Sequence, residues 1–357
     1  MPYPIFLTIS TRSSRAGIPS SDASPACCSS AFDRKKKPRK RRVSSIVPLL
    51  WISLAALSLR FADADTRAVI AVIKSREAEP YDIAVNSLRR SLKENGIQAQ
   101  FEDVLLPEEG QRRDERLAGI RKKNPQLIVT LGSAATEHTA KSIKDTPVLF
   151  CMVLNPQASG FVRSMSASGN NLTGASLDIP PQVQFEAIRA LVPQARKIGV
   201  IYNPQETETV VQQARKTARD MGLELIAVPV PTPDKVPDAL RALDKTVDAL
   251  WSVADGTAFS SASMEFIFLH TLRNKLPFMG LSPAFVKAGA LLALAVDYQE
   301  VGAQCGALAN RILAGESPSA LPVLTPQKVV LHVNLKTAET LGLRIAPDRL
   351  KGAVLVR

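Results

Sequence analysis

The chain has 357 residues, 45% of them hydrophobic and 22% charged, which is the balance of a globular protein and excludes a collagen-like, low-complexity or wholly disordered chain. Four cysteines exclude a disulfide-stapled miniprotein, and 5% aromatic residues leave few platforms for stacking the bases of single-stranded nucleic acid. The net charge of +12 is uneven: residues 1–64 carry 11 Lys/Arg against 3 Asp/Glu, and much of that excess is the run Arg34–Arg42.

Taken alone, Arg34–Arg42 could be a nuclear-localisation or nucleic-acid patch. The neighbouring segments point elsewhere. Ile46–Leu59 is 14 largely apolar residues without a charge, and Ala62-Asp63-Ala64 is a small-x-small site. Basic, apolar and small-residue segments in that order make a signal peptide over 34–64, with Asp65 as the new N-terminus after cleavage. The apolar run is short for a span of about 20 residues. Arg60 keeps an uncleaved anchor open, and a buried helix is a further alternative. Residues 1–33 lack apolar periodicity and read as a disordered extension or a start codon placed too early. Cys27 and Cys28 would be lost with the leader.

From Arg67 onward strands and helices alternate. Ala68–Ile73 is a continuous apolar run, as expected of a strand buried on both faces. A helix follows over 80–95, a short strand over 97–102 and a charged helix over 111–123. Leu127–Leu131 is a strand, then come a helix from Ser133 to about Lys144 and a strand over 147–151. Asn170–Pro181, with its Asn, Gly and paired prolines, reads as a passage between two units. The rhythm then restarts. Strands are expected at Lys197–Tyr202, Leu223–Val230, Ala249–Val253, 277–280 and 290–295. Helices are expected at 206–221, 234–245 and 258–273, with a short one after Gly280. The tail adds a helix at 298–314, a strand at 328–333 and a helix at 335–341. This pattern predicts an α/β fold of parallel sheets with helices on both faces.

Ligands of open α/β sheets sit beyond the carboxyl ends of the strands. The residues just after the strands are therefore the candidates: Lys74 and Ser75, Gly132 and Ser133, Asn155, Asn203 and Pro204, Ala254 to Thr257, Gly280 to Ser282, and Asp297 with Tyr298. Asp255 suits either a helix cap or a ligand contact. Motifs for covalent or cofactor chemistry are missing: no G-x-G-x-x-G follows the first strand, and there is no phosphate-binding loop or nucleophile elbow. His138, His270 and His332 lack metal-ligand spacing. Neither an enzyme nor a cofactor is expected. Cys151 and Cys305 are left as two buried thiols or as a disulfide.

Several stretches resemble a known family. Thr146–Pro156, Asn171–Ser176, Ile198–Pro204, Val286–Leu291, Asp297-Tyr298 with Gly302, and Asn334–Ala338 with Leu341–Leu343 are similar, in order and spacing, to the ABC-transporter substrate-binding family that includes tryptophan-binding members. The similarity covers roughly residues 69–348. It implies a type I periplasmic-binding-protein fold, with two Rossmann-like lobes, a three-segment hinge and a ligand in the cleft. The implied lobes are 65–172 plus 296–326, and 173–295 plus 327–357. Family cleft positions map onto Ser133, Asn155, Thr209, Asp255, Thr257, Ser282 and Asp297. Family members often carry acids where this chain has Asn155 and Pro283, so a neutral or anionic solute is expected. The implied role is periplasmic: a monomer that binds a small molecule, closes around it and hands it to an ABC permease, with no nucleic-acid partner. A ligand-binding sensory module for a receptor or histidine kinase is the alternative.

Overall fold

A computed structural model describes residues 67–357 and, ahead of them, only the two-residue strand β1 (Leu7–Thr8). The expected leader at 34–64 and the rest of the 1–33 extension, with Cys27 and Cys28, lie outside the described residues.

Five strands build the first sheet: β2 (Ala68–Lys74), β3 (Ala99–Leu105), β4 (Leu127–Leu131), β5 (Val148–Val153) and β6 (Leu172–Ser176). All pair in parallel, in the order β3-β2-β4-β5-β6. Helices cover both faces, so the middle strands are apolar throughout: β4 and β5 are buried at every residue. The two-residue period separates the faces. Ile70, Val72 and Val129 pack beneath α1 (Glu79–Glu94) and α9 (Tyr298–Leu313), whereas Ala71, Ile73 and Ile128 pack against Leu117 and Ile120 of α2 (Gly110–Lys122). The smaller α3 (Ser133–Ser142) follows β4.

The second sheet repeats that order. β7 (Lys197–Tyr202), β8 (Glu224–Pro229), β9 (Ala249–Trp251), β10 (Phe278–Gly280) and β11 (Leu292–Val296) run parallel as β8-β7-β9-β10-β11. β12 (Lys328–Asn334) adds antiparallel to β11, and its far edge takes β1 and the three-residue β13 (Val354–Val356). Its helices are α4 (Pro181–Leu191), α5 (Pro204–Asp220), α6 (Val236–Leu243), α7 (Ser261–Arg273), α8 (Pro283–Ala288) and α10 (Leu335–Thr340). One core joins Phe185, Trp251 and Phe278 with the strand interiors.

The chain passes between the sheets at 177–180, at Asp297 and at 325–327. The two-lobed α/β fold expected from the sequence is present. Its first passage falls later than residue 172, because Leu172–Ser176 pairs with β5 and completes the first sheet. β6, α4 and β13 are additions to the sequence reading, and β3 runs over 99–105 instead of 97–102. Cys151 and Cys305 both belong to the first lobe as free, buried thiols. Among the described residues no helix is long and apolar enough to cross a membrane.

Candidate functional site

A cavity of about 320 Å³ opens between the two lobes beside the passages. The first lobe contributes the loop after β5, residues 154–158, and the second contributes residues after β9 and β10 with one side of α5. The first passage, 177–180, and Thr325 of the third complete the wall. Carboxyl ends of strands from both sheets therefore face one space, as the topology of open α/β sheets requires.

The loop after β5 is held in an unusual backbone. Met152 (φ 62°) and Asn155 (φ 49°) are left-handed, a region that costs non-glycine residues, Met more than Asn. The register of β5 against β6 shifts between Cys151 and Val153. The Asn155 N–H donates to both oxygens of the Asp178 carboxylate, at 3.0 and 2.9 Å, and the Leu177 N–H donates to Val153 O at 2.8 Å. Asp178 also accepts from the Ser176 hydroxyl at 2.7 Å. The first passage thus fastens the loop that roofs the cavity. Burial raises the pKa of Asp178 above the ordinary carboxylate value, against the lowering pull of those two donors.

The floor is apolar and aromatic. Trp251, at the end of β9, is 1% exposed and packs edge-on to Phe185, with centroids 5.2 Å apart. Its indole N–H donates to Gln184 Oε1 at 2.7 Å, and Gln184 Nε2 donates to Ile179 O at 2.6 Å. One side chain of α4 therefore fixes both the indole and the first passage. Ser252 is similarly tied, donating to Met279 O at 2.8 Å.

Of the residues singled out in the sequence, Asn155, Thr209, Ala254, Gly280 and Leu281 line the cavity. Asn203, Asp255 and Thr257 bond one another outside its lining. Asp255 Oδ2 accepts from the Asn203 N–H and the Thr207 hydroxyl, both at 2.6 Å, while Oδ1 accepts from the Thr257 N–H at 3.1 Å and the Ala258 N–H at 2.7 Å. Asn203 Nδ2 donates to Thr257 Oγ1 at 2.9 Å, and its Oδ1 caps α5 by accepting from the Gln205 N–H at 3.0 Å. Thr257 and the Gly256 N–H donate to Glu206, and the Thr257 bond leads in holding the Glu206 carboxyl below its usual range. Through these bonds Asp255 organises the turn that joins β7 to the loop after β9.

Asp297 caps α9 by accepting from the Gln299 and Glu300 N–H groups at 2.9 and 3.3 Å. Tyr298 packs against the first lobe's core, Ser133 begins α3 as an exposed residue, and Ser282 precedes α8; none of these lines the cavity. Asp178, Gln184 and Trp251 are the residues missed. The signal available was their place in the passage, on the helix after it and at a strand end.

A family model described as ABC transporter substrate binding protein matches residues 69–356. A tyrosine-binding protein of Clostridioides difficile is 28% identical over 228 residues, which is 63% of this chain and 66% of that protein. Two solved structures share the fold. A ligand-free, open substrate-binding protein with adhesive properties from Clostridium difficile superposes at a TM-score of 0.66, with 23% identity over 81% of this chain and 99% of that one. An ABC domain in complex with L-Trp, from Streptococcus pneumonia, superposes at 0.58, with 24% identity over 82% of this chain and all of that one. This chain belongs to the ABC transporter substrate-binding protein family.

Proposed function

We propose that the interlobe cavity is the solute site, and that the chain is a monomeric receptor exported by its 34–64 leader. It closes over one small molecule and presents the loaded form to a permease, without a nucleic-acid partner. The reading rests on one observation: a cavity sized for a small metabolite, walled by both lobes and bordered by the passages between them. Leu154 of the first lobe and Leu281 of the second line it with 42% and 37% of their surface exposed, apolar area that a solute and lobe closure would cover. The related proteins named for tyrosine and solved with L-Trp support an aromatic solute, which the apolar walls and Trp251 suit. No covalent step is needed, since binding energy shifts the balance between open and closed forms.

Thermal unfolding against a library of small metabolites tests this. A true solute at 100 times its dissociation constant adds about 2.7 kcal/mol. Thr209→Trp, at an exposed position of α5, fills the cavity and should remove that shift with the unliganded protein still folded. The proposal fails if nothing in the library stabilises the protein, or if Thr209→Trp binds as the parent does.

A further inference from the structure

Granted the reading of the cavity as the solute site, on which this inference rests, its charge is one-sided. Among the described residues, Asp178 is the only ionisable one in the lining, which has no Lys, Arg or His. Among the described residues Asp178 has no ion pair, and two donors reach it, the Asn155 N–H and the Ser176 hydroxyl. A carboxylate offers about four acceptor positions. Asp255, whose carboxylate is filled by four donors, shows what saturation looks like in this molecule. Asp178 therefore brings to the cavity a partly desolvated negative charge with unused acceptor capacity.

Among the described residues no cationic side chain in the lining serves an anion. A carboxylate without a cationic side chain is usually held by free N–H groups at a helix start. Three helices of the second lobe begin with proline, which has no N–H: Pro181 in α4, Pro204 in α5 and Pro283 in α8. Pro180, just ahead of α4, removes another donor at the cavity wall. Of the amides that follow, Val183 and Gln184 donate to Pro180 O, Gln205 to Asn203 Oδ1, and Phe285 and Val286 to Ser282 O.

We infer that the cavity selects an organic cation, an apolar or aromatic body bearing a protonated amine and no carboxylate, with Asp178 as its counter-charge. The ammonium has three N–H donors. Asp178 takes one, and the amide oxygen of Asn155, also in the lining, is a second acceptor. A zwitterionic amino acid would bring its carboxylate into the same cavity with no cationic side chain to meet it. This reverses the neutral or anionic solute that Asn155 and Pro283 imply in the sequence, because the acid that lines the cavity comes from the first passage.

Calorimetry at neutral pH with four probes of one indole body decides it: tryptamine, L-tryptophan, indole-3-propionate and 3-methylindole. Tryptamine should bind tightest, by about tenfold or more, as expected for a hydrogen-bonded charge in place of a neutral contact. Indole-3-propionate should bind weakest. Asp178→Asn should cost tryptamine about tenfold more than it costs 3-methylindole. That variant also loosens the turn at Asn155, so Gln213→Lys, on the exposed wall of α5, serves as an independent second variant. It places a cation in the lining and should reverse the order of tryptamine and indole-3-propionate. Tightest binding by L-tryptophan or indole-3-propionate overturns the cation inference and leaves the solute-binding reading standing. Silence from all four probes also overturns it, and the metabolite screen then judges the wider reading by itself.

Discussion

Asp255 and Asp178 both lack a cationic partner among the described residues, yet one organises a turn and the other lines a cavity. Asp255 is 3% exposed, and its removal would strand the Asn203 and Ala258 N–H groups. Each orphaned buried donor costs about 1–3 kcal/mol. Asp255→Ala should therefore lose about 3 kcal/mol, read as a lower urea midpoint at unchanged slope. His332 gives a pH dependence. Burial, with Lys287 nearby, depresses its pKa, so the unfolded chain takes up the proton more readily than the folded one. This part of the stability is present above the ordinary histidine value of about 6.5 and is lost as pH falls from there through the depressed folded value. His332→Gln should flatten that part of the stability–pH curve, as followed by urea titration at a series of pH values. The sequence places Asp255 correctly at a strand end, but position does not tell where a side chain points: at helix starts, backbone N–H groups compete for the same oxygens as a ligand would. Asp178 is hard to read for the opposite reason, lying in a Pro-rich passage that looks like a linker.

Among elements, α1 and α9 meet with almost no side chain between them. A Cβ on Gly302 would lie 2.2 Å from Ala84 O, and one on Gly306 would lie 2.4 Å from the Ser91 Cβ. Gly302→Ala must push the helices apart and should cost about 1–3 kcal/mol or more. Gly119, inside α2 with open space around it, is the control: Gly119→Ala should stabilise by about 0.5–1 kcal/mol through helix propensity. Differential scanning calorimetry of the pair should give shifts of opposite sign. On the same helix as Gly302, the Cys305 thiol lies 3.9 Å from Phe150 O, and burial, helped by the neighbouring Cys151, pushes its pKa well up. Neither thiol should react with iodoacetamide until the protein unfolds, and the intact mass should be that of the free dithiol. The strongly apolar strands β2, β4 and β7 are legible in the sequence because two-sided burial demands such runs. β6 is not, since Leu172-Thr-Gly-Ala-Ser reaches full burial with small and hydroxyl-bearing residues. Gly174 there leaves no room for a Cβ, which would stand 2.0 Å from Phe150 O. β13 is short, and two of its three residues, Val354 and Leu355, are exposed.

For the molecule as a whole, two sheets of the same strand order have separate cores joined by three short passages. Two of the passages are held from the first lobe: Asp178 fastens the loop after β5, and Gln304 Nε2 donates to Thr325 O at 3.0 Å. Rotation about such passages changes the angle between lobes with little cost inside either one. A bound solute should therefore lower the radius of gyration measured by small-angle X-ray scattering, and Thr209→Trp should not respond.

The same connectivity sets a schedule for assembly. The Ser87 hydroxyl of α1 donates to Gln299 O of α9 at 2.7 Å, a contact between residues 212 apart in the chain. On the ribosome, α1 and all five strands of its sheet emerge long before the helix that seals their apolar face. Until α9 arrives, Leu88, Leu92 and Val129 lack part of their cover. Closing so long a loop delays the finished lobe, since the chain entropy must be surrendered before the contacts form. The first lobe to be synthesised is thus unable to finish until the parallel strands of the second have been made, and the newborn chain remains incompletely folded for most of its translation.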